Sequence, residues 1–321
     1  MLLTIDVGNT HTVLGLFEGA TLRQHWRLCT DARRTADEYG LFMRELLGGM
    51  RTGVQAFPAP LPALSRGEGA GEGSRQGLLV GHPAEGTVDG AKPSPRPSPA
   101  GNAGEGVGGG VSRATAANEG VVTGIAVSSV VPPLNQLLDA ACRTYLQVAP
   151  LFIGPGVATG MPVLYDNPHQ LGSDRLANAV AAFARTRGAA IVVDLGTATK
   201  FEYVSAAGAY LGGAIAPGLG IAADALFERA ARLHRVELVT PGRVLGRNTV
   251  HAIQSGLVYG YAAMVDGMVR RIRAECGGAV RVVATGGFAP LVASEAACID
   301  DIDEFLTLDG VRLIYERNSA H

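Results

Sequence analysis

Cysteine is scarce in this chain. Cys29, Cys142, Cys276 and Cys298 stand far apart and form no C-x-x-C pair. That excludes a disulfide framework and a zinc ribbon, and the four read as buried cytosolic thiols. The seven histidines are scattered without metal-site spacing. An excess of either charge is missing too: 27 Lys and Arg face 29 Asp and Glu, with no basic stripe, so no nucleic-acid partner is expected. No apolar run approaches membrane-spanning length. Met1–Ile5 meets a charge at Asp6, too early for a signal segment, so a cytoplasmic protein without a membrane partner is expected. The sequence contains no G-x-x-x-x-G-K-[ST], which excludes a P-loop protein, and no strand-G-x-G-x-x-G-helix unit, which disfavours a dinucleotide oxidoreductase.

The 321 residues suit one large domain or two ordinary ones, and a 47% apolar share can build a substantial core. Leu2–Ile5, Thr12–Phe17 and Thr21–Leu28 read as three strands of a meander. Thr35 and Glu38 have capping-box spacing ahead of a helical pattern over Tyr39–Leu47. From about Gln55 to Glu119, Gly, Pro, Ser, Ala and Glu dominate, with alternating prolines at 93–99. That composition cannot bury enough surface to offset ordering entropy and reads as a disordered insertion, a Pro-rich docking segment being the alternative.

Order resumes with a strand at Gly124–Ser129, a helix opened by Pro132-Pro133 and running to about Tyr145, and a strand at Leu151–Ile153. Ser173 has the chemistry of an N-cap for a helix to about Arg187. The second half then restarts the pattern of the first. Strands are expected at Ala190–Val193, Thr199–Val204 and Tyr210–Ile215, and helices at Gly218–Leu233 and Arg247–Ile272. A strand at Val280–Ala284 and a helix near Leu308–Tyr315 complete it.

Asp6-Val7-Gly8-Asn9-Thr10 lies between two expected strands. Glycine lets successive N–H groups face one concavity that accepts phosphate oxygens, Asn9 and Thr10 add donors, and Asp6 can hold magnesium through water. An ordinary hairpin turn carries the same signature. A second copy, Asp194-Leu195-Gly196-Thr197-Ala198-Thr199, follows another apolar strand and opens another β-β-β-helix block. Two such loops facing one cleft are how actin-like ATPases and sugar kinases grip a triphosphate. Thr285-Gly286-Gly287-Phe288-Ala289 reads as a strand-to-helix turn, or as a close approach to a flat ring such as adenine. In Tyr165-x-Asn167-Pro168-x-x-x-Gly172-Ser173-Asp174-Arg175, Asp174 falls in the first turn of a helix, whose dipole favours the carboxylate. Arg175 can clamp a carboxylate or phosphate, or the pair can simply be a surface ion pair at a capped helix start.

These segments occur in the order found in type III pantothenate kinases, which the chain resembles over nearly its whole length outside the insertion. Gly246-Arg247-Asn248-Thr249, Ala252-Ile253-x-Ser255-Gly256-x-x-x-Gly260 and Leu306-Thr307-Leu308-Asp309-Gly310 resemble that family as well. The resemblance implies a duplicated ribonuclease-H-like (actin-like) α/β fold with mixed sheets. The lobes would be 1–180, carrying the insertion, and 181–321, with the ATP cleft between them. It implies transfer of the ATP γ-phosphoryl group to the primary hydroxyl of pantothenate, the first step towards coenzyme A. Asp174 would accept the proton. Asp6, Val7, Gly8, Asn9, Thr10, His11, Thr12, Val13 and Thr197 would contact Mg-ATP. Tyr165, Gly172, Ser173, Asp174, Arg175 and position 230 would contact pantothenate. Asp194 would hold a monovalent cation, potassium or ammonium. A homodimer is implied, with the long helix as a candidate interface; a central core helix is the other reading. Another actin-like small-molecule kinase, or a nucleotide-binding regulatory homologue without turnover, are the alternatives.

Four positions depart from the family's pattern. Ala230 stands where a pantothenate-binding threonine is usual, which implies weaker affinity with the chemistry intact, since alanine makes no hydrogen bond. His234 replaces a proline. Lys200 and Glu202 replace threonine and aspartate, and Lys200 is expected to point to solvent rather than into the phosphate loop.

Overall fold

A computed structural model describes residues 1–48, 121–230 and 233–319. The expected disordered insertion lies outside the described residues.

The first three strands form as the alternation predicts: β1 (Leu2–Val7), β2 (His11–Glu18) and β3 (Thr21–Cys29). They pair antiparallel in sequence order, and α1 (Ala36–Gly48) follows. Its capping box is complete: the Thr35 N–H donates to Glu38 Oε2 at 2.7 Å, and the Glu38 N–H donates to Thr35 Oγ1 at 3.2 Å. Strand β4 (Gly124–Ser129) runs parallel to β1, and β5 (Pro150–Phe152) runs parallel to β4. Between them lies α2 (Pro132–Ala141), which ends in one wide π turn over Cys142–Leu146 that closes on Gln147 in the left-handed region. The sheet order is β3-β2-β1-β4-β5.

The second sheet repeats this plan. After α3 (Ser173–Thr186) come β6 (Ala190–Leu195), β7 (Ala198–Val204) and β8 (Tyr210–Pro217) as an antiparallel meander. Helices α4 (Leu219–Arg229) and α5 (Thr249–Cys276) follow. Strand β9 (Arg281–Thr285) then runs parallel to β6, α6 (Ala289–Ala293) follows, and β10 (Asp301–Ile302) pairs parallel with β9. The order β10-β9-β6-β7-β8 mirrors the first sheet strand for strand. This is the duplicated actin-like, ribonuclease-H-like architecture.

Each sheet has its own core. Leu3, Ile5, Leu16, Ile125 and Leu134 pack in the first, and Ile191, Leu195, Phe201, Val265 and Val282 in the second. Burying each such side chain contributes about 1.5–3 kcal/mol. A third cluster, with Ala126, Val180, Tyr210, Val311 and Ile314, joins the two, because α3 and the C-terminal α7 (Leu306–Ser319) lie together between the sheets. They cross so closely that a Cβ on Gly310 would stand 2.0 Å from the Ala177 carbonyl oxygen. Glycine is required there.

Three local expectations are corrected. Gly172, not Ser173, caps α3; the Ser173 hydroxyl instead accepts the Ser129 N–H at 2.9 Å and lies 3.1 Å from the Ser128 hydroxyl. Helix α4 stops at Arg229, with Ala230 in the extended region, rather than reaching Leu233. Of the cysteines only Cys142 is buried; Cys29 and Cys276 are exposed and Cys298 is half-buried. Strand β10 carried no sequence signal, being two residues long.

Candidate active site

The Asp6 and Asp194 loops occupy equivalent places, each at the end of the first strand of its sheet, so both face one cleft of about 400 Å³. Asp6, Gly8, Asn9, His11 and Val13 line it from β1–β2, and Asp194, Gly196, Thr197 and Lys200 from β6–β7. Gly172, Asp174 and Arg175 enter from the start of α3, and Gly286 and Gly287 from the turn after β9. The Thr10 and Thr197 hydroxyls lie 2.9 Å apart, joining the two loops.

Not every predicted position reaches the cleft wall. Val7 is core, and Thr12 is buried against the Thr30 hydroxyl at 2.9 Å, so both shape the loop from behind. Ser173 braces Ser128 and Ser129 beneath it. Tyr165 stacks edge-on with Tyr210, ring centroids 6.0 Å apart. Ala230 sits at the end of α4 and does not line the cleft.

Gly286 has φ +92°, and a Cβ there would lie 2.6 Å from the Leu195 carbonyl carbon and 2.7 Å from Asp194 Oδ1. The turn thus presses directly on the second loop. Gly286→Ala should cost about 1–3 kcal/mol through backbone strain, read as a lower unfolding temperature in calorimetry. An unchanged temperature would contradict this packing.

The electrostatics centre on three carboxylates. Burial, then the Asp174 carboxylate, push the Asp6 carboxyl up to about 7, against a 3.0 Å hydrogen bond donated by the Ser128 hydroxyl. Burial also raises Asp194. Lys200, expected in solvent, is here. Its Nζ donates to Asp174 Oδ2 at 2.6 Å and lies 2.8 Å from Asp194 Oδ2, with 14% of the side chain exposed. Burial pulls its pKa down, but Asp194 and Asp174 outweigh this and hold it above the ordinary lysine value. The physical reason is register: Asp194 and Lys200 are direct cross-strand partners in the β6–β7 hairpin. A turn centred on Thr197 sets position 194 opposite 200, and that opposite-charge pair was the available sequence signal.

Glu202 was also missed as a structural group. The Arg175 Nε donates to Glu202 Oε1 at 2.7 Å, and its Nη2 donates to Glu202 Oε2 at 2.9 Å and to the Tyr210 hydroxyl at 2.8 Å. The Tyr210 hydroxyl in turn donates to Glu202. Burial lowers the Arg175 pKa, but Glu202 more than offsets it. Arg175 lines the cleft with its fork committed to a buried bidentate pair rather than to a surface one.

Two phosphate-type loops, a carboxylate at a helix start and a glycine turn in one cleft can bind a nucleotide and position an acceptor hydroxyl. Comparisons with known proteins agree. The family model described as type III pantothenate kinase matches residues 2–57 and 102–271. A type III pantothenate kinase of Myxococcus xanthus is 46% identical over 320 residues, covering 100% of both chains. Those of an Anaeromyxobacter species and of Moorella thermoacetica are 46% and 43% identical, over 99% of this chain and 100% of each relative. With the family model and end-to-end relatives in agreement with the cleft, this chain belongs to the type III pantothenate kinase family.

Proposed function

We propose that this cleft binds Mg-ATP and pantothenate and transfers the γ-phosphoryl group to the primary hydroxyl of pantothenate, the first step of coenzyme A biosynthesis. The carrying observation is the convergence of Asp6, Asp174, Asp194, Thr197 and Gly286 on one cleft in a chain of this family.

In this reading the hydroxyl oxygen attacks the γ-phosphorus, the bond to the ADP oxygen breaks, and the hydroxyl proton passes to Asp174. That carboxylate lies in the first turn of α3, on the cleft wall. A weak base suffices, because phosphoryl transfer depends mainly on positioning and on stabilising phosphate charge. The backbone of Val7–Val13, with the Thr10 and Thr197 hydroxyls, is assigned to the phosphates, and Gly286-Gly287 to the adenine side. No group of three His, Cys, Asp or Glu with metal-site geometry occurs among the described residues. A divalent ion at Asp6 would therefore take its other ligands from phosphates and water, as magnesium commonly does; when bound it would neutralise phosphate charge. Residues 1–180 supply Asp6 and Asp174 in this division, and 181–321 supply Asp194, Thr197 and Gly286. Tyr165 and Gly172–Arg175 are assigned to pantothenate. Ala230, off this cleft's wall, keeps its assignment only if a subunit boundary brings it to one. A monovalent cation at Asp194 does not fit: the Lys200 ammonium already stands 2.8 Å from its carboxylate.

A homodimer is the proposed assembly and the cytoplasm the proposed compartment. Among the described residues, no helix is long and apolar enough to cross a membrane. Val244, Leu245 and Val250 are 66%, 84% and 46% exposed, beside Ala252, Gly256 and Gly260 on the open face of α5. The segment is pinned there: Ser255, Tyr259 and Gln254 donate to the carbonyls of Val244, Pro241 and Glu237. Apolar surface held outward this way marks an interaction face. Light scattering should give twice 33.1 kDa for wild type and 33.1 kDa for Leu245→Glu. A dimer unchanged by the substitution would place the interface elsewhere.

The function is tested by incubating the protein with Mg-ATP and pantothenate. Equal amounts of ADP and 4′-phosphopantothenate support it; ATP binding without either product supports the regulatory reading.

A further inference from the structure

The floor of the cleft carries a charge arrangement that needs a cation and already has one. Asp174 and Asp194 come from different elements, α3 and β6, and their carboxylates are 16% and 13% exposed. Bare, two carboxylates in one poorly solvated place repel each other and would repel a triphosphate. Lys200 Nζ stands between them, 2.6 Å from Asp174 Oδ2 and 2.8 Å from Asp194 Oδ2. An alkylammonium is an ammonium ion with one hydrogen replaced by carbon. It has the same charge and three donors, of which two are used on the carboxylates and one is left for a phosphate oxygen. Tethered to β7, opposite Asp194 in register, it cannot be diluted away.

We propose that the Lys200 ammonium is a resident replacement for an exchangeable monovalent cation at Asp194, making ATP binding and phosphoryl transfer in this protein independent of potassium or ammonium. The inference rests on the reading of the cleft as an ATP site. Potassium cannot share the place: a second positive charge beside Nζ would be repelled, and Asp194 Oδ2 is already engaged by Lys200.

The test compares wild type, Lys200→Thr and Lys200→Gln in KCl, NH4Cl and tetramethylammonium chloride at one ionic strength. Mg-ATP affinity is measured by calorimetry, and phosphopantothenate formation alongside. Wild type should give the same affinity and rate in all three salts, within about twofold. Lys200→Thr, which opens the space, should lose about tenfold or more in tetramethylammonium and recover in KCl. Its ATP complex should also gain potassium-dependent thermal stability, which wild type should not. Lys200→Gln fills the space without the charge, should be weak in every salt, and keeps the test available if the threonine variant does not fold.

Wild type that needs potassium overturns the proposal, as does Lys200→Thr that is equally active without it. Lys200→Thr faster than wild type in every salt also overturns it, and would make the lysine a brake on Asp174. If no variant forms phosphopantothenate while calorimetry shows the expected salt pattern, the pantothenate reading fails and the cation inference stands.

Discussion

Asp174→Asn lowers kcat for pantothenate phosphorylation by about 10²–10⁴-fold, the range a positioned proton acceptor contributes, while Mg-ATP binds with near wild-type affinity. The expectation follows from where Asp174 sits. It lies in the first turn of α3, on the cleft wall, 2.6 Å from Lys200 Nζ and across the floor from the Asp194 loop. Asparagine keeps the shape and a hydrogen-bonding oxygen but cannot take a proton. Lys200 keeps Asp194 as its partner, so the floor stays folded and the nucleotide loops are undisturbed. The loss therefore falls on kcat and kcat/KM together rather than on KM alone. Steady-state kinetics with calorimetry on the same preparation checks it. A variant that retains full activity removes Asp174 from the role, and one that no longer binds ATP makes it structural.

The second large effect is on stability. Glu202→Ala strands Arg175, whose side chain is 8% exposed and spends both nitrogens of its fork on that carboxylate. The Tyr210 hydroxyl loses its acceptor as well. Leaving one buried charge of a pair unpartnered costs about 3–5 kcal/mol. At roughly 2–4 °C per kcal/mol, the unfolding temperature should fall by about 6–20 °C. The paired change Arg175→Met with Glu202→Leu should recover most of this, because apolar residues of similar volume often replace a buried ion pair without net loss. A single Glu202→Ala variant as stable as wild type would mean that water reaches Arg175 and the pair is not a closed internal brace.

The fold was legible where a local signal repeats. Asp6–Thr10 and Asp194–Thr197 each end an apolar strand and begin a meander, so the duplication could be read from two short turns. The Thr35–Glu38 capping box and the Pro132-Pro133 helix start could be read because their chemistry is confined to a few neighbouring residues. What depends on partners distant in sequence could not. Ser173 has N-cap chemistry, yet its hydroxyl is used on β4, and only the fold brings β4 there. Arg175 and Glu202 are 27 residues apart and meet because α3 packs over β7. Lys200 looked solvated because a lysine two residues past a turn usually is. Its register opposite Asp194 could have been read, but the third partner, Asp174, could not. The family resemblance named the substrate; the register explains why this chain's cleft carries its own ammonium.

The most direct measurement of the central claim is a single-turnover rapid-quench experiment with γ-labelled ATP, stoichiometric enzyme and excess pantothenate, run on wild type and on Asp174→Asn. Wild type should move the label to pantothenate within one turnover, and Asp174→Asn should bind the ATP and leave the label on it. Label that stays on ATP in wild type, or moves equally fast in the variant, would contradict the assignment of phosphoryl transfer to this cleft and to Asp174.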